Sequence, residues 1–542
     1  LSRKAAEQEA AMTEHGPPLG AVFCGHEGPW PSNAGSALSL EGRAPSRPFL
    51  GLCGLSRKAA EQEAAMTEHG PPFEAGKMRR FDEIDRFFNP RTVALVGVSR
   101  HFGFGHGLPG FFARIGLADR VFPVNPKIDE IQGLKVYPSV RAIPCEIDLA
   151  CVLVPAPSVS EVLNDCIAAG VKAVIVMSAG FAETGAEGRR RQEALAAMAR
   201  RAGVRLMGPN CIGVVNVPAR FATCEIFIED MKPGTISIVA QSGVFGNILM
   251  DAAPSMGIAV SKVATIGNRA DLDETDLVEY LAEDPATAVI VLYLESIRRG
   301  RAFLEAVRRA SRRKPVLAFL GGQTEAGRRA TQSHTGSMAG FGKLEKALLR
   351  QAGLWIARDP VELLETARAF ALSPPMRGPR VFVVTASGSL GVMAADRLVE
   401  EGLELAEPSG PGFQRLRDKA PPWMNMGNPL DVGPSGLFAE GAAAALEHPD
   451  ADAVILIPVI PWAVVSPLLE ADRLSVAAMF GPRRGEAGGA APAKPIIVCP
   501  QGHPGWKQAC LEFYGPETPF AATPQAAATA LAALYRYWRR RS

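Results

Sequence analysis

The chain has 542 residues, of which 47% are hydrophobic and 21% charged, so most of it is globular and too long for a single core. Lys+Arg number 58 against Asp+Glu 56, a net charge of +2 without a long basic run, which argues against nucleic acid or anionic membrane as a partner. The longest apolar run, 451–465, carries Asp452 and is broken by Pro458 and Pro461, too short for a membrane span.

Residues 1–18 recur unchanged at 55–72, with a Gly-, Pro- and Ser-rich stretch between the copies. Two copies are too few for a solenoid. The expectation is that 1–77 is a disordered tail carrying a duplicated segment, read as an artefact, with the folded chain starting near Met78. From Val93 the pattern changes. Short apolar runs at 93–98, 121–124, 149–155, 173–177 and 204–207 alternate with helical stretches such as 158–169 and 188–202. The rhythm restarts at 236–240, 263–266, 289–294 and 316–320, and again at 381–384, 453–457 and 495–499. Apolar strands spaced by amphipathic helices imply parallel sheets covered on both faces, hence α/β with three doubly wound domains. Linkers are expected near 211–234 and 373–379, the second marked by Pro374-Pro375. Nine cysteines without a Cys-x-x-Cys pair read as a reduced, cytoplasmic protein.

Open α/β sheets bind ligands at the carboxyl ends of their strands. After the first strand comes Gly97-Val-Ser99 and then a glycine-rich loop to Gly107, which lets backbone N–H groups approach a phosphate. The second strand ends Phe122-Pro-Val-Asn-Pro-Lys127, with Lys127 where a dinucleotide site would carry an acid. That suits a ligand with an extra phosphate, such as coenzyme A, better than NAD, although Lys127 reads equally well as a solvated turn lysine. It also disfavours an NAD-dependent dehydrogenase.

Glu295 ends the strand 289–294, where a carboxylate needs a partner. His334 lies in Ser333-His-Thr-Gly336, beyond the strand 316–320 and on the same side of the sheet. A carboxylate on one imidazole nitrogen leaves the other nucleophilic. Gln241-Ser242-Gly243 opens a helix running toward Asp251, whose free N–H groups would hold a phosphoryl group. A lone histidine is ordinarily structural; the strand-end glutamate and anion-binding turn favour a functional one. Asp271, Asp273 and Glu274 are read as a solvated helix start, with no metal site.

These residues fall in an ordered series: Val93–Ser99, Pro123–Pro126, Val154–Pro157, Ser178–Gly180, Gly208–Cys211, Gln241–Gly243, Gly267-Asn268 before Ala270-Asp271, Tyr293–Ser296, Ser333–Gly336, Gly391–Asp396 and Asn428–Asp431. The series resembles the α-subunit of the NDP-forming acyl-CoA synthetases, specifically ADP-forming acetyl-CoA synthetase, a relative of succinyl-CoA synthetase. The resemblance spans about 81–540. It implies a Rossmann-like CoA-binding domain (78–211) and two flavodoxin-like CoA-ligase domains (212–373 and 379–542). It implies conversion of acyl-CoA, ADP and phosphate into acid, CoA and ATP through an acyl phosphate and a phosphohistidine. His334 would be the nucleophile, Glu295 its stabilising carboxylate, Gln241, Ser242 and Gly243 the phosphate turn, and Gly97, Ser99, Asn125, Lys127 and Pro155 the CoA site.

No Walker-type motif or ATP-grasp segment is recognisable in the sequence. The resemblance therefore implies a separate ATP-grasp β-subunit holding ADP and magnesium, hence a hetero-oligomer. Two positions depart from the family pattern: Leu320 and Gln323 stand where a lysine and an arginine are common. They leave a non-catalytic CoA-binding or sensing protein as the alternative. In the third domain, Pro458-Val-Ile-Pro-Trp462 is apolar and suggests an acyl group bulkier than acetate.

Overall fold

The computed structural model describes residues 81–101, 105–329, 341–471, 476, 479 and 494–541. The expectations for 1–77 and for His334 fall outside the described residues.

Three mixed α/β sheets follow one another along the chain. The first contains β1 (Val93–Val96), β2 (Val121–Val124), β5 (Leu149–Val152), β6 (Ala173–Val176) and β7 (Arg205–Met207), in the order β2-β1-β5-β6-β7. Between β2 and β5 a two-stranded hairpin, β3 (Glu130–Ile131) and β4 (Leu134–Lys135), stands apart from this sheet. All four pairings of the five strands are parallel, and β1, β5 and β6 are buried along their whole length. That is why they read as unbroken apolar runs. Helices α1 (Asp82–Phe88), α2 (Leu108–Arg114), α3 (Val159–Ala168) and α4 (Ala186–Arg201) accompany them.

The second sheet has β8 (Gly213–Asn216), β9 (Phe221–Ala222), β10 (Pro233–Ala240), β11 (Val260–Thr265), β12 (Val289–Leu294), β13 (Val316–Leu320) and β14 (Leu354–Ala357). Its order is β14-β13-β12-β10-β11-β8-β9. Its helices are α5 (Gly243–Ser255), α6 (Glu274–Glu283), α7 (Gly300–Ser311), α8 (Lys343–Gln351) and α9 (Pro360–Leu372). The stretch 211–234, expected as a linker, instead holds β8, which extends this sheet antiparallel to β11, and β9, which pairs antiparallel with β8. These strands are too short for a periodic signal, yet Val214, Val215, Phe221 and Ala222 join the core.

The third sheet contains β15 (Arg380–Thr385), β16 (Glu404–Leu405), β17 (Leu430–Asp431), β18 (Ala453–Ile457) and β19 (Ile496–Val498), ordered β16-β15-β18-β19 with β17 against β15. Helices α10 (Gly388–Glu400), α11 (Pro411–Lys419), α12 (Phe438–Glu447), α13 (Trp462–Ala471), α14 (Pro504–Tyr514) and α15 (Pro524–Arg539) complete it.

In the first two sheets the first long strand lies between the second and third long strands of the same βα series, and in the third β15 lies between the short β16 and β18. The chain therefore winds outward in both directions, and a crevice opens where the winding reverses. In the first sheet this point lies between β1 and β5, and in the second between β10 and β12. Among the described residues no helix is long and apolar enough to cross a membrane.

Candidate active site between the first two sheets

Strand β10 delivers Gln241 and Ser242 to the second switch point. Ser242 is the N-cap of α5, its Oγ accepting from Phe245 N at 3.3 Å. The cap leaves the N–H groups of Gly243 and Val244 without a partner among the described residues, at the positive end of a helix with no acid in its first turn. A Cβ added at Gly243 would sit 2.9 Å from the Ile212 side chain, which would have to shift to admit it.

Gln241, buried at the strand end, makes four hydrogen bonds. Its side-chain oxygen accepts from Glu295 N at 2.7 Å and Ser296 N at 3.1 Å. Its Nε2 donates to Ser296 O at 2.7 Å and Glu274 Oε2 at 3.3 Å. Gln241 therefore fixes the backbone that carries Glu295. The Glu295 carboxylate, 6% exposed, accepts from Tyr293 OH at 3.1 Å. Burial and the adjacent carboxylate push the Tyr293 hydroxyl well up, so it remains a donor.

The sequence reading passed over Arg269, the residue between the two halves of the Gly267–Asp271 motif. Its guanidinium is 5% exposed and donates to Glu274 Oε2 at 3.2 Å, Ser296 O at 3.1 Å and Ser296 Oγ at 2.9 Å, while its Nε has no partner. Glu274, fully buried, also accepts from Arg298 N at 3.0 Å. One carboxylate thus joins the loops ending β10, β11 and β12. The three acids read as a solvated helix start are otherwise placed. Asp273 does cap α6, but is 2% exposed and paired with Arg299, and Asp271 pairs with Arg205.

Gln241, Glu295 and Arg269 open into a cavity of about 680 Å³ whose opposite wall is α4 of the first sheet. Arg189, Gln192, Glu193, Ala196 and Arg200 of α4 line it, with Arg298 from the loop after β12. The α4 residues recur at helical spacing, a polar face the sequence could have shown. The two sides meet closely: an added Cβ at Gly267 would lie 2.2 Å from Asn210 O, and Asn268 donates to Gln192 at 3.0 Å and to Glu183. Burial pushes the Glu183 carboxyl up, but hydrogen bonds from Asn268, Phe181 and Gly180 outweigh it and hold the group below its ordinary range. Four guanidinium groups over two carboxylates make a concave, positively biased site suited to phosphate.

The residues expected at CoA lie along the other end of the first sheet. Gly97 ends β1 at φ +96°, and an added Cβ would lie 2.7 Å from Val154 Cγ1 and 2.9 Å from Val154 N. Asn125 Nδ2 donates to Val98 O at 2.7 Å and its Oδ1 accepts from Lys127 N at 2.8 Å, so this side chain joins the loops after β1 and β2. Ser99 Oγ accepts from His101 N at 3.1 Å. Lys127 and Pro155 are exposed. All five therefore stand at the carboxyl ends of adjacent strands, while the cavity lies toward β6 and β7. Residues 102–104 of the intervening loop are outside the described ones. Leu320 is part of the core at 1% exposure, and Gln323 Nε2 donates to Leu320 O at 2.8 Å, so neither brings a cation to Glu295.

Residues 91–217 match the family described as CoA binding domain, and residues 233–370 the succinyl-CoA ligase like flavodoxin domain. The chain is 38% identical to the acetate–CoA ligase (ADP-forming) II subunit alpha of Pyrococcus furiosus, over 70% of this chain and 83% of that protein. It is 34% identical to the corresponding I subunit alpha of the same organism, over 84% and 97%. A solved structure, the dinucleotide-forming acetyl-coenzyme A synthetase 1 of Ca. Korarchaeum cryptofilum in complex with phosphate and ADP, superposes with a TM-score of 0.74 at 32% identity, covering 84% of this chain and 97% of that one. The chain belongs to the family of α-subunits of ADP-forming acyl-CoA synthetases.

Proposed function

We propose that the chain is the α-subunit of an NDP-forming acyl-CoA synthetase, an acid–CoA ligase that interconverts acyl-CoA, ADP and phosphate with acid, CoA and ATP. The observation that carries this reading is the arginine-lined cavity holding Glu295 and Gln241, in a chain of this family.

Coenzyme A is held at the first switch point by the loops of Gly97, Ser99, Asn125, Lys127 and Pro155. A phosphate oxygen attacks the acyl carbonyl, the thiolate of CoA leaves, and an acyl phosphate results. A ring nitrogen of His334 then attacks phosphorus and the carboxylate departs as the free acid. Glu295 accepts from the other ring N–H and stabilises the cation that forms. The backbone N–H groups of Ser242-Gly243 and the cavity arginines carry the phosphoryl charge. Phosphohistidine finally gives its phosphoryl group to ADP.

ADP and magnesium belong, on this reading, to an ATP-grasp partner subunit. The exposed Val244 and Ile248, one turn apart on α5 beside the site, support a covered face there. We place the enzyme in the cytoplasm, a reading supported by its described cysteines being free thiols. We divide the chain at 211/212 and at 373–379; the second sheet starting at Gly213 and the absence of helix or strand over 373–379 support those limits.

The test is incubation with labelled phosphate and a panel of acyl-CoA esters, with and without the co-expressed partner. Acid-labile, alkali-stable label that disappears in His334→Ala is expected with at least one ester, together with CoA release. An absence of label while CoA still binds would favour a CoA sensor and point to Leu320 and Gln323. Aromatic or longer esters outperforming acetyl-CoA would agree with the apolar loop 458–462, where Trp462 stacks on His503 with centroids 4.8 Å apart.

A further inference from the structure

A second cavity, of about 710 Å³, lies at the opposite ends of the second sheet's strands, between α8 and β14 on one side and α10 and α15 on the other. It opens at Pro315 and Val316, where β13 begins, and at Leu354 and Trp355, where β14 begins. Strand β13 has five residues, so this cavity is separated from the Glu295 edge by the length of that strand, roughly 16 Å at ~3.3 Å per residue.

Its charge is lopsided. Eight arginines line it against two glutamates, and both glutamates are already engaged. Glu362 accepts from Arg358 at 2.6 Å, and Glu401 is shared by Arg397 at 3.0 Å and Arg536 at 2.9 Å. Arg308, Arg312, Arg350, Arg540 and Arg541 have no carboxylate partner among the described residues. They come from three separate elements, α7, α8 and the end of α15, so sequence clustering did not place them together. Cations complementing helix C-termini would explain some of them singly. It does not explain why three such ends converge on one concavity.

The floor is aromatic. Trp355, Phe370 and Tyr537 line it, with the Arg536 guanidinium 5.4 Å from the Trp355 ring centre and Phe370 edge-on to Tyr537 at 5.4 Å. The Trp355 Nε1–H is buried and has no hydrogen-bond partner in the described structure, a donor that native interiors rarely leave unused. Planar guanidinium forks recognise phosphate oxygens in pairs, and an aromatic floor takes a flat ring.

We propose that this cavity binds a nucleoside polyphosphate, its phosphates on the arginines that lack a carboxylate partner and its base against the Trp355–Tyr537 floor, where Arg541, now donating to Tyr537 OH at 2.6 Å, would turn to a phosphate. Because the walls come from the second and third sheets' helices, a bound nucleotide ties those two layers together at the edge remote from the chemistry. It would thereby act as a regulator rather than as the phosphoryl acceptor.

The test is calorimetric titration of the full chain, without partner, with ADP, ATP and inorganic tripolyphosphate. Three proteins are compared: wild type, Arg312→Glu/Arg350→Glu, and Trp355→Phe. The arginines are exposed, and unchanged CoA binding verifies folding. Saturable binding of ADP or ATP, weakened tenfold or more in the double variant and several-fold in Trp355→Phe, is the expected result. Phosphohistidine labelling without nucleotide should be the same in all three. No saturable binding, or equal affinity in the double variant, overturns the proposal. Tripolyphosphate binding as tightly as ATP, unaffected by Trp355→Phe, would reduce the cavity to an anion site and refute the nucleotide. Binding of polyglutamate but not of nucleotides, lost in the double variant, would make it a protein-docking face and overturn the proposal as well.

Discussion

Replacing Gln241 with leucine keeps the volume at the end of β10 and removes four hydrogen bonds. Two backbone donors, Glu295 N and Ser296 N, lose their partner, while Ser296 O and Glu274 each lose one donor and keep the one from Arg269. Glu295 is buried and Ser296 half-buried, so water replaces these bonds only in part. At about 1–3 kcal/mol for each of these two orphaned donors, the loop loses roughly 2–5 kcal/mol of local stability. Since 1.4 kcal/mol is about tenfold in an equilibrium constant, the Glu295 and Ser296 amides should exchange with solvent deuterium at least tenfold faster. The rest of β12 should be little changed, because its pairing with β10 and β13 is untouched. Labelling of His334 should fall in parallel, since Glu295 no longer has a fixed backbone. A Gln241→Leu protein with wild-type exchange at 295–296 and wild-type labelling would refute the reasoning that Gln241 acts by holding Glu295.

Two further consequences follow from particular contacts. Gly97→Ala puts a Cβ 2.9 Å from Val154 N at a φ of +96°, a strain of about 1–3 kcal/mol; CoA affinity measured by calorimetry should drop at least tenfold. Unchanged affinity would mean the β1 turn does not shape that site. Glu365, between α9 and Ala522, has its carboxyl pushed up to about 7 by burial, against the hydrogen bond from Ala522 N. Its protonated form favours the fold, so its stabilising contribution is complete below the unfolded value of about 4.5 and is lost as pH rises through about 7. The amount is roughly 3 kcal/mol, from 1.36 kcal/mol per pH unit. Urea unfolding of Glu365→Gln should show a flatter pH dependence between about 4.5 and 7, and an unaltered slope would sink this assignment.

The apolar runs at 93–96, 149–152, 173–176 and 289–294 announced themselves because strands buried on both faces are mostly apolar, whereas β11, equally buried, was fainter because it carries Ser261, Lys262 and Thr265. Gly97, Gln241 and Glu295 were legible for a related reason: each is the first residue after an apolar run whose chemistry departs from it, and chain order places it at a strand end. The short strands β8 and β9 were not legible, since two to four residues carry no period and their place depends on β8 pairing with β11 and β9 with β8.

What the sequence by itself determined is therefore the parallel α/β class, the strand ends where ligands sit, and, through its ordered motifs, the family. Tertiary structure alone decided which charges face one another. Arg269, on one side, and Arg189 and Arg200, on the other, come from different sheets and line the cavity that holds Glu295 only because the loops at 208–211 and 267–270 interlock. The arginines of α7, α8 and α15 meet at the far end of the same strands for the same reason. Burial is written locally, in periodicity. Electrostatic juxtaposition is a property of distances between elements far apart in the chain, and only packing sets those distances.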